Sequence, residues 1–126
     1  METVLLYQIK GTKTAALLKP VLLKLGIRVR IVEPEQYLQS IGFLAGNKAF
    51  AESPEAYDGA GFDEPMMVMA GFSERKLDLF LTEMRRKKEP PIALKAIVTT
   101  QNQAWNSLQL YRELKEEHEK MKSYRK

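Results

Sequence analysis

Cysteine is absent from this chain of 126 residues, and histidine and tryptophan occur only once each, as His118 and Trp105. Without cysteine the chain can form no disulfide, and it has no thiolate to serve as a nucleophile or a metal ligand. A single histidine also excludes the motifs in which two histidines hold a metal ion. We therefore expect no metal site and no cofactor, and the composition excludes a large part of enzyme chemistry.

Long apolar runs are absent as well. A helix that crosses a membrane needs roughly 18 consecutive apolar residues, and no run in the chain approaches that length. The first residues, Met1-Glu2-Thr3, lack the basic start and small-residue cleavage site of a signal peptide. We expect a cytoplasmic protein that does not contact a membrane.

The composition is that of an ordinary globular protein with a small positive charge. Apolar residues make up 44% of the chain and charged residues 29%, which suits one domain, residues 1–126, with a modest core. The formal net charge of +4 favours a polyanionic partner, because lysine and arginine gain affinity by displacing phosphate counterions. The net charge alone does not locate a basic surface.

Apolar runs typical of strands alternate with segments in which apolar residues have helical spacing. The predicted strands cover residues 4–9, 27–33, 65–72 and 93–99, and the predicted helices cover residues 10–26, 35–46, 73–89 and 106–122. The order is β-α-β-α twice, so that halves 1–45 and 65–126 are joined by a loop at 46–64. Strands joined by a helical crossover run parallel. The sequence therefore predicts an α/β fold with a four-stranded, mainly parallel sheet, helices on both faces, and strand 27–33 at an edge.

Ligands of open parallel sheets bind beyond the carboxyl ends of the strands, where the connections diverge. The predicted sheet places polar residues from three such connections there, and we take them as a candidate ligand or partner surface: Lys10, Thr12, Lys13, Ser73, Arg75, Thr99, Thr100, Asn102 and Trp105. Residues 10–14 resemble the end of a nucleotide-binding phosphate loop, but they lack its earlier glycine and its adjacent Gly-Lys, and we favour a plain capped turn over an anion site.

The same residues also suit structural roles. Thr12 and Ser73 stand where side chains cap helices. In the segment TTQNQAW, residues 99–105, the side chain of Asn102 can close a turn and Trp105 can anchor the final helix on the core. We favour the structural interpretation of this segment over a ligand site.

The strongest basic cluster is a candidate nucleic-acid site and consists of Arg85, Arg86, Lys87 and Lys88. Cations in the last turn of a helix also complement its dipole, and we favour that interpretation. His118 lies in a charged helix tail, where a catalytic base would stand in solvent. No Ser-His-acid set can be assembled from the sequence.

A strand ending in threonine is followed by an asparagine, by a tryptophan three positions later, and by a leucine-rich helix that ends in Glu-Glu-His. The positions of this pattern are Thr99, Asn102, Trp105, Leu110, Leu114, Glu117 and His118. With this pattern, residues 64–121 resemble a bacterial family catalogued as domain of unknown function 3783. The resemblance implies a bacterial cytoplasmic protein and carries no established activity, ligand or catalytic residue.

Our leading hypothesis is a non-catalytic binding or interaction module with its surface around Trp105 and the 46–64 loop. Self-association as a homodimer is also expected, with the methionine-rich segment 66–69 contributing to a packed interface. The alternative is an enzyme that binds a small polar or anionic ligand, such as a phosphate compound or a nucleotide. A second alternative, less favoured, is an RNA-binding protein.

Overall fold

The computed structural model describes residues 2–8, 12–86, 92 and 94–124. The strands are β1 (Thr3–Tyr7), β2 (Arg28–Val32), β3 (Met66–Ala70) and β4 (Leu94–Ile97), and the α-helices are α1 (Lys13–Lys24), α2 (Ile41–Leu44), α3 (Glu74–Arg86) and α4 (Ser107–Tyr124). Two short 3₁₀ helices, Pro34–Gln36 and Asn102–Ala104, follow β2 and β4. The alternation of strands and helices expected from the sequence is confirmed.

The four strands form one sheet in the order β2-β1-β3-β4. β1 is parallel to β2 and β3 is parallel to β4, but the central strands β1 and β3 are antiparallel. The expectation of a mainly parallel sheet is therefore wrong, and the sheet is mixed. Within each half a single helix connects the two strands, and such a crossover makes the strands parallel. Residues 33–65, which connect the two halves, do not form a single crossover helix, so they do not require β1 and β3 to be parallel. The prediction that β2 is an edge strand is confirmed.

Each face of the sheet carries its own apolar core, and the prediction of helices on both faces is confirmed. On one face α1 and α3 cover alternate residues of the central strands, with Leu22 and Phe80 among the buried contacts. On the other face α2 and α4 cover the remaining residues, with Ile41 and Leu110 buried. Both central strands are buried along their whole length, as is usual for a sheet covered on both sides.

The burial of β3 decides one expectation about self-association. Met66, Met67, Val68 and Met69 lie in the interior of the fold, where their side chains belong to the two cores. The idea that this segment forms an interface between copies of the chain is therefore wrong.

The single helix predicted over residues 35–46 is divided into a 3₁₀ turn and the short helix α2. Tertiary hydrogen bonds engage the backbone groups that a continuous helix would use: Ile41 N–H donates to the Trp105 carbonyl at 2.8 Å, and the Tyr37 carbonyl accepts from Ser107 N–H at 3.1 Å. Ser40 then caps α2 by accepting a hydrogen bond from Phe43 N–H. The chain between the two turns therefore pairs with the segment before α4 and does not continue as a helix.

The loop predicted at residues 46–64 is confirmed, because no helix or strand occurs between α2 and β3. It is nevertheless attached to the core, since Phe62 is buried and Tyr57 is partly buried. Among the helices of the described residues, none has the length and apolar character that a membrane span requires.

Candidate functional site

The antiparallel central pair separates the residues predicted to form one ligand surface. Tyr7, the last residue of β1, pairs with Met66, the first residue of β3, so β1 and β3 end at opposite ends of the sheet. The connection that contains Thr12 and Lys13 therefore leaves one end. The connections that contain Ser73, Arg75, Thr99, Thr100, Asn102 and Trp105 leave the other. Lys10 lies outside the described residues.

Two of these residues act as helix caps. The Thr12 side chain accepts a hydrogen bond from Ala15 N–H at 3.2 Å, and Ser73 Oγ accepts one from Lys76 N–H at 3.1 Å. Arg75 is exposed in the first turn of α3. The structural interpretation accounts for Thr12 and Ser73 without a ligand.

The turn after β4 is held together by Asn102. Its side-chain oxygen accepts from Thr99 N–H at 2.8 Å and its side-chain nitrogen donates to the Ile97 carbonyl at 3.0 Å, while Thr99 Oγ accepts from Asn102 N–H at 3.0 Å. Thr100 is exposed, and the partly buried indole of Trp105 packs against the core under α4. The polar groups of Asn102 are therefore engaged within the turn, which favours a structural role.

The described part of the basic cluster has partners on its own helix. Arg86 forms an ion pair with Glu83 at 3.5 Å, and Arg85 donates to Thr82 Oγ at 3.5 Å. Lys24 of α1 approaches the same Glu83 at 3.9 Å. Lys87 and Lys88 lie outside the described residues. The arginines therefore give little support to a nucleic-acid surface.

The outer edge of β2 presents backbone N–H and C=O groups that point away from the sheet. Arg28 N–H donates to the Glu2 carbonyl at 3.0 Å, so the backbone groups of Arg28 point towards β1. Because these directions alternate along a strand, the N–H and C=O groups of Val29 and Ile31 point away from the sheet. Their side chains, on the face of α1, are 38% and 37% exposed. Two apolar β-branched residues thus lie on a backbone edge that pairs with no other strand of the described residues.

The opposite edge of the sheet is built differently. Val98 N–H donates to the Met69 carbonyl at 2.9 Å, so the outward-pointing backbone groups of β4 belong to Lys95 and Ile97. Lys95 is exposed. A lysine on an edge strand opposes pairing with another strand. The residues with outward-pointing backbone groups are thus a lysine and an isoleucine on β4, and two apolar residues on β2.

The face of β2 opposite to the side chains of Val29 and Ile31 carries two arginines and is positively charged. Arg28 is exposed and forms no ion pair within the described parts of the chain. Arg30 donates a hydrogen bond to the Leu44 carbonyl at 3.3 Å, and its guanidinium lies over the Phe43 ring, 5.8 Å from the ring centroid. Neither of these contacts involves a carboxylate. An added strand would meet two arginines on this face.

A cluster of aromatic rings lies beside the carboxyl end of β1, and the sequence reasoning missed it. Phe62 stacks between two tyrosines: its ring centroid is 4.2 Å from that of Tyr37, with planes 12° apart, and 4.1 Å from that of Tyr111, with planes 1° apart. Tyr7 and Tyr57 contact the same cluster. The aromatic residues in the 46–64 loop were the available signal, but their partners are distant in the sequence.

The two buried tyrosine hydroxyls of the cluster differ in their partners. The Tyr7 hydroxyl is hydrogen-bonded to Ser107 Oγ at 2.8 Å, and burial raises the pKa of Tyr7. The Tyr37 hydroxyl is buried and has no hydrogen-bond partner in the described chain. Burial, followed by the charge of Glu33, raises the pKa of Tyr37 to about 12. Both groups are therefore neutral phenols at neutral pH.

Within the residues that the structure describes, no group of three or more histidine, cysteine, aspartate or glutamate side chains could hold a metal ion. No curated protein and no solved structure matches the chain. The model of one family, described as "Domain of unknown function (DUF3783)", matches residues 65–121, and this range contains Asn102, Trp105 and His118. The match confirms the resemblance expected from the sequence, and it spans the segment from just before β3 into α4.

Proposed function

We propose that the protein is a non-catalytic, cytoplasmic interaction module that binds an extended segment of a protein partner by adding it as a strand along β2. The proposal rests on one observation. The backbone N–H and C=O groups of Val29 and Ile31 point outward from an edge strand. Strand addition uses such groups for affinity and the alternating side chains for specificity.

The side chains of β2 indicate the chemistry of the partner. Alternate residues of an added strand lie beside Arg28 and Arg30 on one face of the sheet and beside Val29 and Ile31 on the other. Opposite charges across two strands are favourable. The fitting partner is therefore an extended segment in which acidic and apolar residues alternate.

A second copy of β2 fits this edge poorly. Directly opposed residues of paired strands share a face, so the arginines of one copy would lie opposite those of the other, which is destabilising. We therefore propose a different chain as the partner at this edge, in place of the homodimer expected from the sequence.

The proposal can be tested with a short soluble peptide in which valine alternates with glutamate. We expect saturable binding by fluorescence anisotropy, and slower amide hydrogen exchange at Val29 and Ile31 in the complex. Ile31→Pro removes one outward N–H without removing a bond to β1, and we expect it to weaken binding by about tenfold or more, since the ring also hinders the approaching strand.

Ile97→Pro is the matched control, because Ile97 is also an isoleucine with an outward N–H, but on the other edge. It should leave the affinity unchanged, and a peptide with lysine in place of glutamate should not bind. The proposal is wrong if the wild-type chain does not bind the acidic peptide, or if both proline variants lose binding equally.

A further inference from the structure

The two arginines on one face of β2 are held in different ways. The Arg30 guanidinium is positioned by its hydrogen bond to the Leu44 carbonyl and by the Phe43 ring beneath it, and the side chain is partly buried. Arg28 is exposed, and its side chain makes no hydrogen bond or ion pair with the described residues. Arg30 therefore has a defined position before a partner arrives, whereas Arg28 does not.

The contacts of Arg30 leave most of its guanidinium available to a partner. Leu44 is the last residue of α2, and carbonyls at the end of a helix lack a partner within the helix. A guanidinium has several N–H donors, and the bond to Leu44 uses one nitrogen. Within the part of the chain that the structure describes, no carboxylate forms an ion pair with Arg30. Among the side chains of an unmodified protein strand, a carboxylate matches the planar fork of a guanidinium.

The open edge of β2 is short. Outward-pointing residues alternate along the strand, and at one end Ile27 N–H is bonded to the Leu22 carbonyl at 2.9 Å. At the other end Glu33 N–H is bonded to the Gln36 side chain at 3.0 Å. Between these two positions lie the two outward residues described above, which offer both of their backbone groups to an added strand.

Arg30 stands at the centre of this short edge, between Val29 and Ile31. In an antiparallel pair of strands, hydrogen-bonded pairs of residues alternate with non-hydrogen-bonded pairs, whose Cα atoms are only about 4.5 Å apart. Val29 and Ile31 form the hydrogen-bonded pairs, so the residue opposite Arg30 faces it closely and has a bonded neighbour on each side. The residue opposite Arg28 has a bonded neighbour on one side only. A carboxylate is therefore held more firmly opposite Arg30 than opposite Arg28.

We propose that Arg30 forms a carboxylate subsite of the β2 edge and selects partners in which one glutamate stands between two apolar residues. The glutamate lies opposite Arg30, and the apolar residues lie opposite Val29 and Ile31 in an antiparallel added strand. An acidic residue opposite Arg28 contributes little, because an exposed ion pair between flexible side chains is weak. This inference rests on the strand addition proposed above and narrows its partner to a short motif.

The test uses the peptide Gln-Val-Glu-Val-Gln, extended by serines at both ends, and its analogue with glutamine at the centre. Both affinities are measured by NMR titration on the wild-type chain, on Arg30→Gln and on the matched control Arg28→Gln. The ratio of the two affinities isolates the contribution of the carboxylate in each chain. We expect the glutamate to raise the affinity about tenfold in the wild-type chain and in Arg28→Gln, but less than about twofold in Arg30→Gln, as the loss of one hydrogen bond to a charged group implies.

Arg30→Lys keeps the positive charge but loses the planar set of donors, so its ratio should fall clearly below that of the wild-type chain. The inference is overturned if Arg30→Gln and Arg28→Gln give the same ratio, or if Arg30→Lys keeps the full wild-type ratio. If neither peptide binds the wild-type chain, or if Ile31→Pro binds both peptides as well as the wild-type chain does, strand addition itself is wrong and this inference falls with it.

Discussion

Replacing Asn102 by alanine removes two hydrogen bonds that close the turn between β4 and α4, those with Thr99 N–H and the Ile97 carbonyl. Each neutral hydrogen bond contributes about 1 kcal/mol, and a buried group left without a partner costs about 1–3 kcal/mol more. Here the residue Thr99 is exposed and the Ile97 carbonyl lies on an edge strand, so water can reach both groups. We therefore expect Asn102→Ala to lower the free energy of unfolding by about 2 kcal/mol, the contribution of the two hydrogen bonds without a penalty for a buried unpaired group.

The assay is equilibrium unfolding in urea, followed by the fluorescence of Trp105 and by circular dichroism. The midpoint should fall while the slope stays constant, because the change affects stability and not the surface exposed on unfolding. Gln101→Ala is the control, since Gln101 is exposed and its side chain makes no hydrogen bond with the described residues; it should change stability by less than about 0.5 kcal/mol. Equal midpoints for the two variants would refute the structural role of Asn102.

Two further predictions concern the buried tyrosines. Tyr37→Phe should raise the free energy of unfolding by about 1 kcal/mol because it deletes an unsatisfied hydroxyl, whereas Tyr7→Phe should lower it by about 1 kcal/mol because it leaves the Ser107 hydroxyl buried without its partner. Chemical denaturation of both variants checks this, and a loss of stability in Tyr37→Phe would mean that its hydroxyl has a partner. In an alkaline titration followed by tyrosinate absorbance, Tyr7 and Tyr37 should ionise last. Their folded-state pKa values are raised, so the stability that they contribute is present below the unfolded pKa of about 10 and is lost as the pH rises above it. Ionisation of every tyrosine near pH 10 with the circular dichroism spectrum unchanged would contradict this assignment.

The secondary structure could be predicted because its signals are local. Alternating and helical spacings of apolar residues identified all four strands and the helices that follow β1, β3 and β4. The caps at Ser73 and Thr12 were also predictable, because a cap acts within a few residues of its own helix. The broken helix after β2 was not, because the hydrogen bonds that interrupt it come from Trp105 and Ser107, far along the chain.

The tertiary arrangement was harder to predict because it depends on how distant segments meet. The direction of β3 against β1 follows from a long connection that no crossover rule constrains, and it places Thr12 and Ser73 at opposite ends of the sheet. The edge position of β2 could be inferred from its alternating arginines. The aromatic stack joins Tyr37, Phe62 and Tyr111, and their separation in the sequence follows neither the period of a helix nor that of a strand.

The antiparallel pairing of β1 with β3 makes the chain resemble a dimer held within one polypeptide. Each half supplies two parallel strands and covers both faces with its own helices, and the halves meet along β1 and β3 as two subunits meet at a twofold axis. The family model covers only the second of these halves. A polypeptide made of that half alone would leave β3 as an open edge, with its buried methionines uncovered on one side. It would need a second half, from another copy or another protein, to complete the sheet.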